Sequence, residues 1–149
     1  MTTALILAWV GIGIMVFLSG CGSAIGTSIG GSATLGALKR KEDAFGNFMI
    51  LSALPGTQGL YGFGGFFIMQ DFLKPELTLF QGCAIMGAGL ALGVTALVSA
   101  INQGKVCANA INAIANGQDA FVKGLILAVF PELYAIIAFA AAFLITTLM

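Results

Sequence analysis

A single carboxylate lies where an apolar environment is expected. Glu132 follows Pro131 in the middle of GLILAVFPELYAIIAFAAAF (residues 124–143), a run long enough to cross a membrane. A charged side chain at the centre of a membrane helix costs about 2.5–3.5 kcal/mol on insertion scales. Ion or proton handling is the usual function of such a residue, and a protonated, purely structural glutamic acid is the alternative. The other acidic residues all flank predicted connections: Glu42, Asp43, Asp71, Glu76 and Asp119.

Further polar side chains are predicted at the depth of Glu132. Gln103 lies 14–15 residues before the middle of the loop 116–119, and Glu132 lies 14–15 residues after it. At about 1.5 Å per residue, both lie about 20 Å from that loop. Thr57 and Gln58 lie 16–17 residues past the middle of the preceding repeat's loop. We therefore expect three helices to bring polar groups to one level of the bilayer.

The types of these side chains suit a small monovalent cation. Tyr61 follows Thr57 by four residues, on the same helical face, so its hydroxyl is expected to hold the carboxylate. Pro55 removes a backbone donor and bends the helix, which lets nearby carbonyls turn toward a ligand. A hydroxyl, two amide oxygens, a carbonyl and one carboxylate form an oxygen site with a single negative charge. This set predicts Na⁺; a proton needs only the carboxylate and remains the alternative.

The elements that position these residues are long and apolar. The chain is 59% hydrophobic and 8% charged, against about 25% charged residues in soluble domains. Each apolar run exceeds the roughly 20 residues that span a bilayer, and uninterrupted runs exclude the alternating pattern of a barrel. We predict an all-α membrane protein with four transmembrane helices and short connections. The runs cover residues 4–38, 44–70, 77–115 and 120–148.

The sequence contains a duplicated hairpin. A shift of 76 residues aligns EDAFGNFMILSALPGTQGLYGFGGFF (42–67) with QDAFVKGLILAVFPELYAIIAFAAAF (118–143). The two copies are predicted to run parallel, because both enter the membrane from the same side. We assign residues 1–73 to the first hairpin and 74–149 to the second, which together form one structural unit.

The copies differ in their polar residues. Glu132 aligns with Gly56, and Gln103 aligns with Thr27. Only the second hairpin therefore carries a carboxylate within its span.

Small residues recur at every fourth position of the first helix in each copy, and such stripes let helix backbones approach closely in lipid. They indicate either packing inside one four-helix bundle or the inner wall of a ring of many copies, with the second helices facing outward. The two stripes are Gly20, Ala24, Ser28, Ser32 and Gly36, and Ala96, Ala100, Gly104, Ala108 and Asn112.

Charge distribution predicts the orientation. Lys39, Arg40 and Lys41 mark the first connection and Lys123 flanks the third, whereas DFLKPE in the second holds one lysine. Because basic residues are retained in the cytoplasm, we expect loops 39–43 and 116–119 there, and both termini outside.

Three motifs carry a resemblance that covers essentially the whole chain. LPGTQGLYGF (54–63), INQGK (101–105) and PELYAI (131–136) resemble the K or c subunit of V/A-type rotary ATPases, the membrane rotor-ring proteolipid. The match is nearest to the bacterial sodium-pumping members. The resemblance implies that Tyr61 hydrogen-bonds the glutamate, and it assigns no role to Pro131. It also implies Na⁺ ligands at the backbone carbonyl of Leu54 and the side chains of Thr57, Gln58, Gln103 and Glu132.

The resemblance further implies the partners: identical copies in a ring within membrane lipid, a stator membrane subunit, and a central-stalk subunit on loops 39–43 and 116–119.

The chain is expected to be non-catalytic, since it carries no nucleotide fingerprint and no nucleophile–base pair. No basic tract indicates nucleic-acid binding. The alternatives are an H⁺-translocating rotor subunit, a stand-alone four-helix transporter or channel, and a structural membrane scaffold.

Overall fold

The computed structural model describes residues 2–149, and these residues form helices joined by short connections. Three of the helices within this range are long and apolar enough to cross a membrane: α1, α4 and α5. The prediction of an all-α membrane protein built from two tandem hairpins is confirmed. In chain order the helices are α1 (Thr3–Leu38), α2 (Phe45–Ala53), α3 (Thr57–Met69), α4 (Leu79–Ala115) and α5 (Phe121–Thr147).

The remaining predicted crossing consists of two helices. A 3₁₀ turn at Leu54–Gly56 joins α2 to α3, and Pro55 lies inside this turn. Proline has no N–H and its ring collides with the preceding turn, so a regular α-helix is interrupted there. Pro131, in contrast, lies inside α5, which continues on both sides of it.

The connection from α4 to α5 is a tight reversal built on a glycine. Gly117 has φ of 86°, a conformation that a side chain disfavours. Its N–H donates to the carbonyl of Ile114 (2.9 Å), and the N–H of Gln118 donates to the carbonyl of Ala113 (3.1 Å). These two bonds form a Schellman motif that ends α4 and directs the chain back toward α5.

Side chains join the connections at both ends of the molecule. Arg40 Nη1 donates to Asn116 Oδ1 at 3.0 Å, so the first and third connections lie side by side. At the opposite end, Thr78 and Gln81 form a capping box that begins α4. Gln81 Nε2 also donates to the backbone oxygen of Met149 (2.9 Å), which holds the end of α5 beside the start of α4.

Helices α1 and α4 form the most extensive contact in the molecule, and α3 and α5 pack against this pair. Buried positions recur every 11 residues along both helices, which corresponds to about 3.67 residues per turn. This period is close to that of a straight α-helix, so the two contact faces stay opposed over a long distance. The 11-residue series are Ala4, Met15, Gly26 and Ala37 in α1, and Gly82, Gly93, Gly104 and Ala115 in α4.

Two glycines allow the backbones of α1 and α4 to touch. A Cβ atom added at Gly104 would lie 2.7 Å from the Cα of Gly26. One added at Gly26 would lie 2.6 Å from the Cβ of Pro55 and would also collide with the carbonyl oxygen of Ala100. Larger side chains at these positions would therefore separate α1 from both α4 and the 3₁₀ turn.

The two predicted small-residue stripes have different environments. Ala96, Ala100 and Gly104 in the second copy are buried against α1. In the first copy, all five residues of the stripe from Gly20 to Gly36 are exposed, and the residues that pack are on another face of the helix. Packing inside one bundle is therefore wrong for the first stripe. The packed glycines of α1 are Gly11, Gly22, Gly26 and Gly30.

We expect Gly26→Ala to destabilise the chain by about 1–3 kcal/mol, because the added methyl group overpacks the contact between α1 and α4. Thermal unfolding of the full chain in detergent, followed by circular dichroism, measures this loss. Gly46→Ala is the matched control, since an added Cβ at this exposed position of α2 meets no atom within 4 Å. Equal losses in the two variants would contradict the packing role of Gly26.

Candidate functional site

The carboxylate of Glu132 accepts hydrogen bonds from two neighbouring helices. Thr57 Oγ1 and Tyr61 Oη of α3 both donate to Oε1 at 2.7 Å. Gln103 Nε2 of α4 donates to Oε2 at 2.9 Å. Both carboxylate oxygens are therefore satisfied by neutral donors, which offsets part of the cost of removing the group from water.

The 3₁₀ turn determines how α3 presents its side chains. Thr57 and Tyr61 lie one turn apart at the start of α3, so both hydroxyls face Glu132. Thr57 Oγ1 also lies 3.1 Å from the carbonyl oxygen of Leu54, a residue of the turn itself. A backbone carbonyl of the turn therefore lies next to the hydroxyl that contacts the carboxylate.

Two fully buried glutamines complete the polar cluster. Gln58 Nε2 donates to Gln103 Oε1 at 2.8 Å, and Gln58 Oε1 lies 3.3 Å from Thr57 Oγ1. Gln103 Nε2 donates to the carbonyl of Ala128 at 3.0 Å as well as to Glu132. The two amides therefore connect α3, α4 and α5 at the level of the carboxylate.

One residue of this cluster is missing from the sequence-based set. Ser99 is buried, accepts a hydrogen bond from Gln58 Nε2 (3.0 Å) and donates to the carbonyl of Pro131 (2.8 Å). The signal available in the sequence is its position four residues before Gln103, which places both side chains on one face of α4. Serine is common in membrane helices, so this spacing alone does not distinguish it from a packing residue.

The corresponding positions of the other repeat lack a polar cluster. Leu133 and Tyr134 align with Thr57 and Gln58, yet these residues are 43% and 67% exposed and form no hydrogen bond with the carboxylate. Gly56 aligns with Glu132, and the nearest atom to a Cβ added there is the Thr27 methyl carbon at 3.8 Å. The cluster therefore lies between the hairpins, with one helix from the first and two from the second.

The arrangement offers several neutral oxygens around one carboxylate, a composition that can compensate a single positive charge. Gln103 directs its nitrogen toward Glu132 and its oxygen toward Gln58, so its amide would have to turn before its oxygen could contact a cation beside the carboxylate. The residues that the depth count, the helical spacing and the family resemblance assigned to the site lie together: Leu54, Thr57, Gln58, Tyr61, Gln103 and Glu132.

Comparison with known proteins identifies related chains. The family model for the C subunit of ATP synthase matches twice, at residues 10–69 and 86–145. The chain is 40% identical over 127 residues to the K subunit of the V-type sodium ATPase of Enterococcus hirae, covering 85% of this chain and 81% of that protein. It is 36% identical over 145 residues to the K subunit of the A-type ATP synthase of Methanocaldococcus jannaschii, covering 97% of this chain and 64% of that relative.

The two family matches begin 76 residues apart, since 86 − 10 = 76, which equals the shift that aligns the two hairpins. The resemblance seen in the three sequence motifs is confirmed by a family model and by two relatives that span most of the chain. The chain belongs to the family of the ATP synthase C subunit.

Proposed function

We propose that this chain is the ion-carrying subunit of the membrane rotor of a V/A-type ATPase and that it binds Na⁺ at Glu132. The observation that carries this proposal is the contact of Thr57 Oγ1, Tyr61 Oη and Gln103 Nε2 with one intramembrane carboxylate. An intramembrane acid with this many partners is typical of ion pathways. The name of the Enterococcus hirae relative, which belongs to a sodium ATPase, agrees with the choice of ion.

The cluster supplies both the charge and the oxygens that a dehydrated Na⁺ requires. Glu132 provides the single negative charge, so the loaded site is neutral and can face lipid at lower cost than an empty one. The carbonyl of Leu54, the hydroxyl of Thr57 and the amide oxygens of Gln58 and Gln103 replace water around the ion. Tyr61 stays on the carboxylate and keeps it directed toward α3.

A proton is the competing cargo. Protonation of Glu132 also neutralises the site, and it needs none of the neighbouring oxygens. The presence of further oxygens next to Thr57 Oγ1, the carbonyl of Leu54 (3.1 Å) and Gln58 Oε1 (3.3 Å), supports Na⁺, because a cation needs several oxygen ligands and a proton needs only the carboxylate.

The proposed partners are those that the family resemblance implies. Identical copies form a ring that turns against a stator subunit, whose arginine attracts the empty carboxylate and promotes ion release. Loops 39–43 and 116–119, joined by the hydrogen bond from Arg40 to Asn116 (3.0 Å), form one surface for a cytoplasmic central stalk. Both termini lie on the opposite side of the membrane. ATP is hydrolysed by another subunit.

We expect Na⁺ at millimolar concentration to protect Glu132 from reaction with dicyclohexylcarbodiimide at fixed pH. The protonated carboxyl group transfers its proton to a nitrogen of the carbodiimide, and its oxygen then adds to the central carbon of the reagent. A bound cation excludes this proton and occupies the carboxylate. Mass spectrometry of the full chain from membranes measures the labelled fraction. Glu132→Gln controls for reaction at other acids. Labelling that is insensitive to Na⁺ would reject sodium and favour H⁺ as the cargo.

We expect Thr57→Val to raise the Na⁺ concentration that gives half-protection about tenfold, the effect of losing about 1.4 kcal/mol of interaction. Valine keeps the shape of threonine and removes the oxygen. Thr27→Val is the matched control, because the Thr27 hydroxyl bonds to Ser23 O of its own helix at 2.7 Å. Its half-protection should stay within about twofold of the parent value. A shift of the same size in both variants would exclude a specific role for Thr57.

The orientation is tested by labelling single cysteines in a chain whose native cysteines are replaced by alanine. An impermeant maleimide should label Glu76→Cys in intact cells. It should label Asp119→Cys only in inverted vesicles stripped of peripheral subunits, because the basic first connection holds this end in the cytoplasm. The reverse pattern would show that the termini are cytoplasmic.

A further inference from the structure

We propose that Ser99 fixes the orientation of the Gln58 side-chain amide, so that Gln58 Oε1 and not Nε2 faces the cation beside Glu132. Ser99 is thereby a positioning residue for ion selectivity, although it is not itself a ligand. The inference rests on the proposed function, because it concerns the site at which Na⁺ is proposed to bind.

The hydroxyl of Ser99 acts as an acceptor toward Gln58. A serine hydroxyl has one hydrogen, and Ser99 donates it to the carbonyl of Pro131 at 2.8 Å. The bond between Ser99 Oγ and Gln58 therefore uses a lone pair of Ser99 and a hydrogen of Nε2, at 3.0 Å. This behaviour differs from that of Ser28, whose hydroxyl bonds to the carbonyl of Ala24 in its own helix.

Both hydrogens of the Gln58 amide nitrogen are then occupied. One goes to Ser99 Oγ and the other to Gln103 Oε1, at 2.8 Å. Gln58 is fully buried, so its remaining polar atom, Oε1, is left on the side of Thr57. Rotating the amide by half a turn would place its oxygen against two acceptors and its NH₂ group against the cation, and both contacts are unfavourable.

The direction of the whole network is set by two backbone carbonyls of α5. Ser99 donates to Pro131 O at one end, and Gln103 Nε2 donates to Ala128 O at the other. A carbonyl can only accept, so with Gln103 in the orientation seen here the hydrogens run outward from Gln58 toward Ser99 and Gln103. Once the Gln103 amide turns its oxygen toward a cation, Ser99 Oγ is the acceptor that remains for Gln58 Nε2. Ser99 is the end of this network that a side-chain substitution can remove while the carboxylate and all proposed ligands are kept.

Without the Ser99 hydroxyl, the Gln58 amide loses one of the two acceptors that distinguish its nitrogen from its oxygen. The rotated amide becomes accessible, and its NH₂ group then donates to Glu132 where a cation would bind. This orientation repels Na⁺ and leaves proton binding possible. Removal of Ser99 is therefore expected to weaken Na⁺ binding selectively.

The test is the protection of Glu132 from dicyclohexylcarbodiimide by Na⁺ in membranes that contain the full chain. Ser99→Ala should raise the half-protecting Na⁺ concentration about tenfold, and Ser99→Thr, which keeps a hydroxyl, should restore the parent value. Ser19→Ala is the matched control: Ser19 is also buried, but its hydroxyl bonds to Val16 O of its own helix at 3.2 Å. This control should behave like the parent chain.

The outcomes distinguish failure of the proposed role of Ser99 from failure of the proposed sodium function. If Na⁺ does not protect the parent chain, the proposed sodium function fails. If Na⁺ protects the parent chain and Ser99→Ala equally well, the function stands and the role of Ser99 is overturned. A higher half-protecting Na⁺ concentration together with slow labelling of Glu132 in the absence of Na⁺ indicates collapse of the site. This result also overturns the role of Ser99. If Ser99→Ala does not accumulate, Ser99→Cys replaces it in the test, because a thiol is a weak acceptor. A higher half-protecting Na⁺ concentration in this variant supports the role of Ser99, and an unchanged concentration overturns it.

Discussion

The cost of placing one carboxylate in an apolar span determines most of the structure around it. Glu132 lies in α5, and its three hydrogen-bond donors come from α3 and α4. The two hairpins that carry these residues pack with their backbones in contact at Gly26 and Gly104. The 3₁₀ turn at Leu54–Gly56 then begins α3 at the correct level. The glycines of the helix contact and the proline of the turn thus serve the same carboxylate.

Duplication allowed the two hairpins to specialise. The first hairpin contributes hydroxyl groups and an amide through Thr57, Gln58 and Tyr61, and the second contributes the acid and Gln103. Neither hairpin contains a complete cluster, because Gly56 replaces the acid in the first copy and Leu133 and Tyr134 are exposed in the second. The cluster is consequently a property of the contact between the copies.

Residue counting predicts the depth of a side chain along a helix but not the direction in which it points. The four crossings, the duplicated hairpin and the common level of Gln103 and Glu132 follow from lengths and spacing. The face of α1 that packs against α4 does not follow from spacing. Glycines occur on several faces of this helix, and which of them contacts a neighbour depends on the surface of α4. Ser99 was missed for a related reason: its role depends on which carbonyl its single hydrogen meets. Whether the clustered residues bind an ion remains a prediction.

The contact between α1 and α4 also has a consequence for assembly. Gly26 touches the backbone of α4, whereas the residue that aligns with it, Asn102, is exposed and carries a side chain too large for the same approach. This contact between α1 and α4 is therefore made within one polypeptide. Residues 39–78, which include α2 and α3, tether α1 to α4, so their encounter is an intramolecular event. Its formation is thus independent of how densely the membrane is populated with other copies.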